Sequence, residues 1–388
     1  MSTTIYSLPN EILGLLPAFL DKIETITIAS SSCRLLRDTF ATASPATILR
    51  LAAASAPTFF PPHPYFLVAA TARQASEWAV GDATRTALLH EAVQGGIDGL
   101  YEFCLAHAGH TLAGIRRLHR ARFAIVNPLC DRIDQMAGQQ YITTEDFWHG
   151  GVSEPNTLCT ETDRSTFQII IYGELFGCDM EAFLAAEGAP PATPVHSIAT
   201  RLEYIKYCVP DWMCYGGYPG FEPPSRARGP YAPPIDPRDL PMDQHVLHHI
   251  LECRRWRRMW AGAMKMVSGD ERDGEIELDA YEEDWRTRLW REALMTQGLW
   301  GMQLVTLPAE QVDKKWLAKA RWMREQVRKL QGPVEMSQIN EICHLEVAVA
   351  PDPCTEAAVC GVCKSSNPSA TSAIRSEEQN ALDFRQVE

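Results

Sequence analysis

Segments with the apolar spacing of an amphipathic helix follow one another through most of this chain, and glycine or proline closes most of them. Apolar residues that recur every three to four positions form one stripe along a helix, and another element must cover that stripe. The spacing predicts helices at 66–77, 84–93, 97–108, 111–123, 180–186, 200–208, 243–267, 283–297 and 308–330. The chain is therefore predicted to be mainly α, with stacked helices and no strict repeat that would indicate a solenoid.

Two stretches are less regular than these segments. The apolar run Thr166–Phe176 fits either a buried strand or a helix, because periodicity does not separate the two over so few residues. Asp163 as a helix cap and the length through Leu175 favour a helix. The pair Asn127–Pro128 is predicted to end the helix before it, because a proline ring clashes inside a helix.

The first 40 residues predict a small helical module. Ser7 is a candidate helix cap, Pro9 suits a first turn and Glu11 lies near the positive end of the helix dipole. The apolar stripe of the first helix comprises Ile12, Leu16, Phe19, Leu20 and Ile23. A second helix is predicted over Thr25–Leu36, with Arg34 and Arg37 on its polar side. So small a module rarely buries enough apolar surface to be stable alone, so it needs either the rest of the chain or another protein.

These residues resemble the F-box over about the first 50 residues of the chain. The matching residues are Leu8, Pro9, Glu11, Ile12 and Leu13, then Leu20 and Asp21, then Ser32, Cys33, Arg34, Leu36, Arg37 and Phe40. The sequence departs from the pattern at Pro17, which should end or kink the first helix. It departs again at Thr25 and Thr27, where apolar residues are usual.

The resemblance implies a partner. F-boxes dock on the Skp-type adaptor of a cullin-RING ubiquitin ligase through an apolar surface that includes the Leu-Pro turn. By resemblance, the partner-binding residues are Leu8, Pro9, Glu11, Ile12, Leu13, Leu16, Leu20, Cys33, Arg34 and Leu36. Four of them, Leu8, Pro9, Ile12 and Leu16, would face the adaptor. The alternative is a capped helix pair that simply packs on the rest of the chain.

The domain organisation follows from composition. We predict an F-box-like module of three helices at 1–55, a proline-rich connector at 56–64 and a larger, irregular helical body at 65–345. This body would bind an unidentified protein substrate. Hydrophobicity falls after Pro351, and we expect a disordered tail at 346–388.

Charge and cysteine content narrow the functional class. The formal net charge is −13, which argues against a general nucleic-acid binder. The 12 cysteines are mostly isolated, as in reduced proteins, rather than spaced like a disulfide framework. There is no basic, apolar leader and no apolar run long enough to span a membrane. We expect a protein of the cytoplasm or nucleus, with no membrane or nucleic-acid partner.

Four further groups of residues were considered as sites. The set Cys343, His344, Cys354, Cys360 and Cys363 contains one Cys-x-x-Cys pair and leaves zinc as an alternative to unpaired thiols. His245, His249 and Cys253 are spaced to share a helix face. Arg254, Arg255, Arg257 and Arg258 alternate with Trp256 and Trp260, which indicates either internal salt bridges to the acidic segment 270–283 or a basic binding face. Asp146, Trp148 and His149 lie beside Gly150–Gly151, as anchors of a loop or as an exposed site.

No catalytic motif of the common kinds occurs in the sequence. We therefore expect no enzymatic activity, no cofactor and no catalytic or metal-ligating residues. The preferred interpretation is an F-box substrate receptor that recruits a protein for ubiquitination. The alternatives are a helical scaffold without a link to a ligase, and an unrecognised hydrolase whose site lies in the loops 143–155 or 210–241.

Overall fold

The computed structural model describes residues 7–137, 162–186, 196–211, 243–252, 254–269, 284–334 and 340–344. Over these ranges the chain forms helices and no strand, so the predicted mainly α class is confirmed. The helices of the first half are α1 (Asn10–Leu15), α2 (Ile23–Ser32), α3 (Arg34–Phe40), α4 (Pro45–Ala54), α5 (Ala56–Phe59), α6 (Tyr65–Ala79), α7 (Ala83–Gln94), α8 (Gly96–His107), α9 (Leu112–Ala121) and α10 (Asn127–Ala137).

Those of the second half are α11 (Thr162–Ala185), α12 (Ile198–Cys208), α13 (Asp243–Glu252), α14 (Arg254–Ser268), α15 (Trp285–Met295), α16 (Leu299–Thr306) and α17 (Lys314–Lys329). Short 3₁₀ turns cover Leu16–Phe19, Ala309–Gln311 and Glu341–His344. Of the helices in the described ranges, none is both long enough and apolar enough to cross a membrane.

The N-terminal helices differ in detail from the sequence prediction. Pro9, and not Ser7, is the N-cap residue of α1, and no side chain caps this helix. Pro17 ends α1 as predicted, and the chain continues as a 3₁₀ turn. The single helix predicted over residues 25–36 is two helices, because Cys33 is extended between α2 and α3. Just before this break, the Ser32 hydroxyl donates to the carbonyl of Ala29 at 2.8 Å, a side-chain bond that competes with regular helix geometry.

Helices α6 and α11 pack against each other at the centre of the molecule. Helix α6 also contacts α7 and α8, whereas α11 contacts α10, α12, α13 and α15 to α17. The apolar side chains buried by these contacts form one contiguous core that extends from Leu13 to Cys343. Helix α4 contacts both α2 and α8, so it joins the N-terminal helices to this core.

The segment 56–64 is packed against the fold and is not simply an extended connector. It begins with the single turn α5, and Phe60 is buried with its ring 5.4 Å from that of Phe66. The prolines therefore lead the chain from α4 into α6 without separating two cores. Residues 346–388, where a disordered tail is expected, lie outside the described residues.

Two predicted interruptions of helices were wrong. The chain remains helical through Asn127–Pro128, because the π-helical turn Arg122–Val126 connects α9 to α10. The proline falls in the first turn of α10, where a missing N–H costs little. Likewise, the segments predicted at 166–176 and 180–186 are parts of the single helix α11, which settles the choice between strand and helix at Thr166–Phe176.

Candidate functional site

The N-terminal helices leave three apolar side chains exposed in one short stretch. Ile12 is 47% exposed, Leu15 is 54% exposed and Phe19 is 78% exposed. Because they are three and four residues apart along α1 and the turn that follows, we call them the exposed apolar stripe. Ile28 on α2 is a further exposed apolar residue, at 70%. Exposed apolar side chains close together on one element are typical of a surface that binds a partner.

Helix α4 holds this stripe in place. The guanidinium of Arg50 donates to the carbonyls of Ala18 at 3.0 Å and Leu20 at 3.1 Å, and so satisfies the end of the 3₁₀ turn that carries Phe19. The hydroxyl of Ser55 donates to Glu24 at 2.9 Å and ties α2 to α4. The stripe is therefore presented by helices whose backbone is anchored to the main core.

The residues predicted to bind the adaptor fall into three groups. Pro9, Glu11, Ile12 and Arg34 are exposed, whereas Leu8, Leu16, Leu20 and Cys33 are half-buried and pack against the core. Leu13 and Leu36 are buried inside the chain itself, at 0% and 8% exposure. These two leucines hold the helices together from within, so a partner could not cover them without unfolding the module.

Sequence reasoning placed Phe19 in a stripe that also contained Leu16, Leu20 and Ile23, and it did not single out Leu15. The predicted stripe used α-helical spacing on both sides of Pro17. The chain changes to a 3₁₀ turn at Leu16–Phe19, so the angular spacing shifts and Phe19 faces the solvent. Ile23 enters the core as the first residue of the separate helix α2. Pro17 was the signal for this change.

A second group of polar residues is buried where α11 and α12 meet. The Oδ2 atom of Asp179 lies 3.3 Å from Nη1 of Arg201. The Nε and Nη2 atoms of Arg201 each lie 3.0 Å from one carboxylate oxygen of Glu341. The Tyr172 hydroxyl donates to the same Glu341 carboxylate at 2.8 Å. Burial raises the pKa of Tyr172, with a further contribution from the Glu341 charge, so this hydroxyl remains a donor. The network satisfies buried charges, as the low dielectric of a core requires.

This network continues to a histidine and a serine. His196 Nδ1 lies 3.5 Å from Asp179 Oδ1, and His196 Nε2 lies 3.3 Å from the Ser76 hydroxyl oxygen. The order hydroxyl, imidazole, carboxylate is that of a hydrolase triad. However, the Ser76 hydroxyl donates its proton to the Leu175 carbonyl at 2.7 Å, and all three residues are buried. The arrangement therefore lacks an accessible, activated nucleophile.

Cys178 precedes Asp179 on α11 and brings a thiol to the same place. Its Sγ atom, an oxygen of Asp179 and a ring nitrogen of His196 all lie within 4.8 Å of one another. We call Cys178, Asp179 and His196 the buried triplet; Asp179 and His196 are buried, and Cys178 is half-buried. Sequence reasoning missed it, because His196 is well separated from the other two residues and no motif spacing links them. Burial raises the pKa of the Cys178 thiol to about 12 and that of Cys104 likewise to about 12.

The remaining predicted sites receive less support. Trp256 and Trp260 are fully buried, with ring centroids 6.0 Å apart, so they cannot offer the stacking faces of a basic aromatic binding surface. The acidic segment 270–283 lies outside the described residues, as do Asp146, Trp148, His149, Cys253 and the side chains of His245 and His249.

The proposed zinc set is only partly described. Cys354, Cys360 and Cys363 lie outside the described residues, as does the side chain of His344. Cys343 is buried in the core, where its Sγ accepts a hydrogen bond from Asn340 at 3.0 Å. Burial raises its pKa, so this thiol behaves as a core residue.

The chain was compared with models of protein families, with curated proteins and with solved structures, and none of the three comparisons gives a match.

Proposed function

We propose that this protein is an F-box substrate receptor whose N-terminal helices bind the Skp-type adaptor of a cullin-RING ubiquitin ligase. The observation that carries the proposal is the exposed apolar stripe of Ile12, Leu15 and Phe19. It lies within the stretch that resembles the F-box, next to Leu8 and Pro9. A surface of this kind gains free energy when a partner removes it from water.

The body would serve the same function by selecting the substrate. In this proposal, α6 to α17 hold a protein substrate close to the ligase and raise its effective concentration there. No bond chemistry in the chain itself is required. The single contiguous core supports such a role, because the N-terminal helices and the body share one scaffold.

Adaptor binding by purified protein tests the proposal, with Phe19→Ser as the variant. Phe19 is 78% exposed, and burial of an aromatic side chain removes about 150–250 Å² from water, so at least about 120 Å² is at stake. At about 25 cal/mol per Å², this area corresponds to about 3 kcal/mol, or about a 100-fold loss of affinity. Isothermal titration calorimetry with the adaptor measures the loss.

A matched control is Phe123→Ser. Phe123 is also an exposed phenylalanine, at 60%, but lies in the π-helical turn between α9 and α10. We expect Phe123→Ser to bind the adaptor like the unmodified protein. If the unmodified protein does not bind, or if both serine variants bind equally well, the F-box proposal fails and the helical scaffold is the better interpretation.

A further inference from the structure

The buried triplet combines a thiol, a carboxylate and an imidazole in one place. Cys178 and Asp179 are consecutive residues of α11, and His196 lies just before the N-cap of α12. The backbone N–H of His196 donates to Asp179 at 2.9 Å, which fixes the loop end against the helix. Thiolate and imidazole together are the donors that zinc(II) prefers in proteins.

The hydrogen bonds around His196 distinguish its two ring nitrogens. The Ser76 hydroxyl gives its hydrogen to the Leu175 carbonyl, so its oxygen acts as the acceptor towards His196 Nε2. Nε2 therefore donates its hydrogen to Ser76. The other nitrogen, Nδ1, makes no hydrogen bond, although the side chain is only 1% exposed.

Nδ1 faces the Asp179 carboxylate without a hydrogen bond, in a place from which water is almost excluded. A cation between the two atoms would be bound by both. The outer hydrogen bond from Nε2 to Ser76 is also the arrangement by which proteins orient a histidine that binds a metal.

The distances agree with a cation of zinc size. Nδ1 lies 3.5 Å from Asp179 Oδ1, and Cys178 Sγ lies 4.0 Å from the same oxygen. A tetrahedral zinc ion with bonds of about 2.0–2.3 Å separates its ligand atoms by about 3.3–3.7 Å. Cys178 Sγ lies within 4.8 Å of the His196 ring nitrogen, so closing the site requires a movement of up to about 1 Å at the Cys178 side chain.

The charges around the triplet also favour the binding of a divalent cation. Asp179 and Glu341 carry two negative charges and Arg201 carries one positive charge, while the nearby Arg73 and Glu181 charges, which also act on the Cys178 thiol, cancel each other. A divalent ion with a Cys178 thiolate adds one net positive charge, and the cluster becomes neutral. A buried cluster without net charge has the smallest desolvation penalty.

We propose that Cys178, Asp179 and His196 bind a zinc(II) ion, with a fourth position filled by water. This site is independent of adaptor binding. It is also distinct from the set that contains Cys360 and Cys363.

Metal analysis of the full-length protein tests the proposal. The protein is stripped with a chelator, supplied with zinc, freed of excess metal and analysed by mass spectrometry in a Cys360→Ser/Cys363→Ser background. We expect one equivalent of zinc in this background, the same amount with Cys33→Ser added, and a loss with Cys178→Ser added. Cys33 is a half-buried free cysteine outside the triplet and serves as the matched control.

Cobalt(II) titration of the Cys360→Ser/Cys363→Ser protein leaves the triplet unchanged, so it does not depend on how well the Cys178 variant folds. We expect a thiolate-to-cobalt charge-transfer band and the strong visible absorption of a tetrahedral site. The proposal is overturned if the band is absent, if the background protein holds no zinc, or if a folded Cys178→Ser protein retains the full amount. In that case His196 and Asp179 pair directly with each other.

Discussion

Arg73→Met is expected to destabilise the protein by breaking an ion pair at the centre of the fold. The Nε atom of Arg73 on α6 lies 2.7 Å from Glu174 on α11. The same carboxylate accepts the backbone N–H of Leu299, also at 2.7 Å, so it satisfies the start of α16. Methionine fills much of the space of the arginine stem, so the substitution mainly removes the charge.

The expected loss in the free energy of unfolding follows from the burial of the Arg73–Glu174 pair. Removing one partner of a buried pair costs about 3–5 kcal/mol, because the other charge remains buried. The Glu174 side chain is 6% exposed, whereas that of Arg73 is 27% exposed, so water partly screens the pair. We therefore expect about 3 kcal/mol, at the lower end of the range. Arg34→Met is the control, because the Arg34–Asp38 pair is 86% and 67% exposed and such pairs contribute about 0.3–0.5 kcal/mol.

The stability lost in Arg73→Met should depend on pH. Burial raises the pKa of Glu174 above its ordinary value of 4.5, and the attraction of Arg73 partly opposes this effect. A carboxyl with a raised pKa gives stability that is present below its unfolded pKa and lost as pH rises through the folded one. Without Arg73 the pKa rises further, so the deficit of the variant should be larger at about pH 7.5 than at about pH 5.

Urea unfolding, followed by circular dichroism and by tryptophan fluorescence, measures these free energies where the two signals coincide. The reasoning is refuted if Arg73→Met loses no more stability than Arg34→Met at about pH 7.5. It is also refuted if the deficit of Arg73→Met grows as the pH falls.

Two further substitutions test the packing in thermal or urea unfolding. Gly298→Ala should lower the free energy of unfolding by more than about 2 kcal/mol, because φ is +63° at this position and a Cβ atom would collide with the Glu174 carboxylate. An unchanged stability would contradict the close approach of α11 and α16. Leu13→Ala should cost about 2–5 kcal/mol, because Leu13 is fully buried. Ile12→Ala, at the neighbouring exposed position, should change stability by less than about 0.5 kcal/mol, and equal losses for the pair would refute the orientation of α1.

The sequence predicted helix boundaries most accurately where a residue next to the helix caps its start or its end. The helix predicted at 84–93 is observed as α7, because Asp82 accepts hydrogen bonds from two N–H groups of the first turn and Gly95 follows its end. Prediction failed at Asn127–Pro128, where the π-helical turn allowed the chain to continue. A proline restricts the backbone of the turn before it, but the amino-acid sequence does not show how the preceding helix adapts to that restriction.

The buried triplet could not have been predicted in the same way. Cys178 and Asp179 are adjacent, but only the packing of α12 on α11 brings His196 to them. The hydrogen bond that Ser76 on α6 accepts from the His196 ring adds a third element. Three distant segments therefore define one local chemistry, and periodicity within each segment carries no information about it.

The F-box resemblance has a similar limit. Some of its matching residues, such as Leu13 and Leu36, are inside the chain, whereas Pro9 and Ile12 are exposed. The buried leucines are required by any small helical module that packs on a body, whether or not it binds a partner. Only the exposed members distinguish a docking module from a self-contained helix pair. The comparison of Leu13→Ala with Phe19→Ser therefore separates folding from recognition: the first should lower stability, and the second should lower adaptor affinity while the fold is retained.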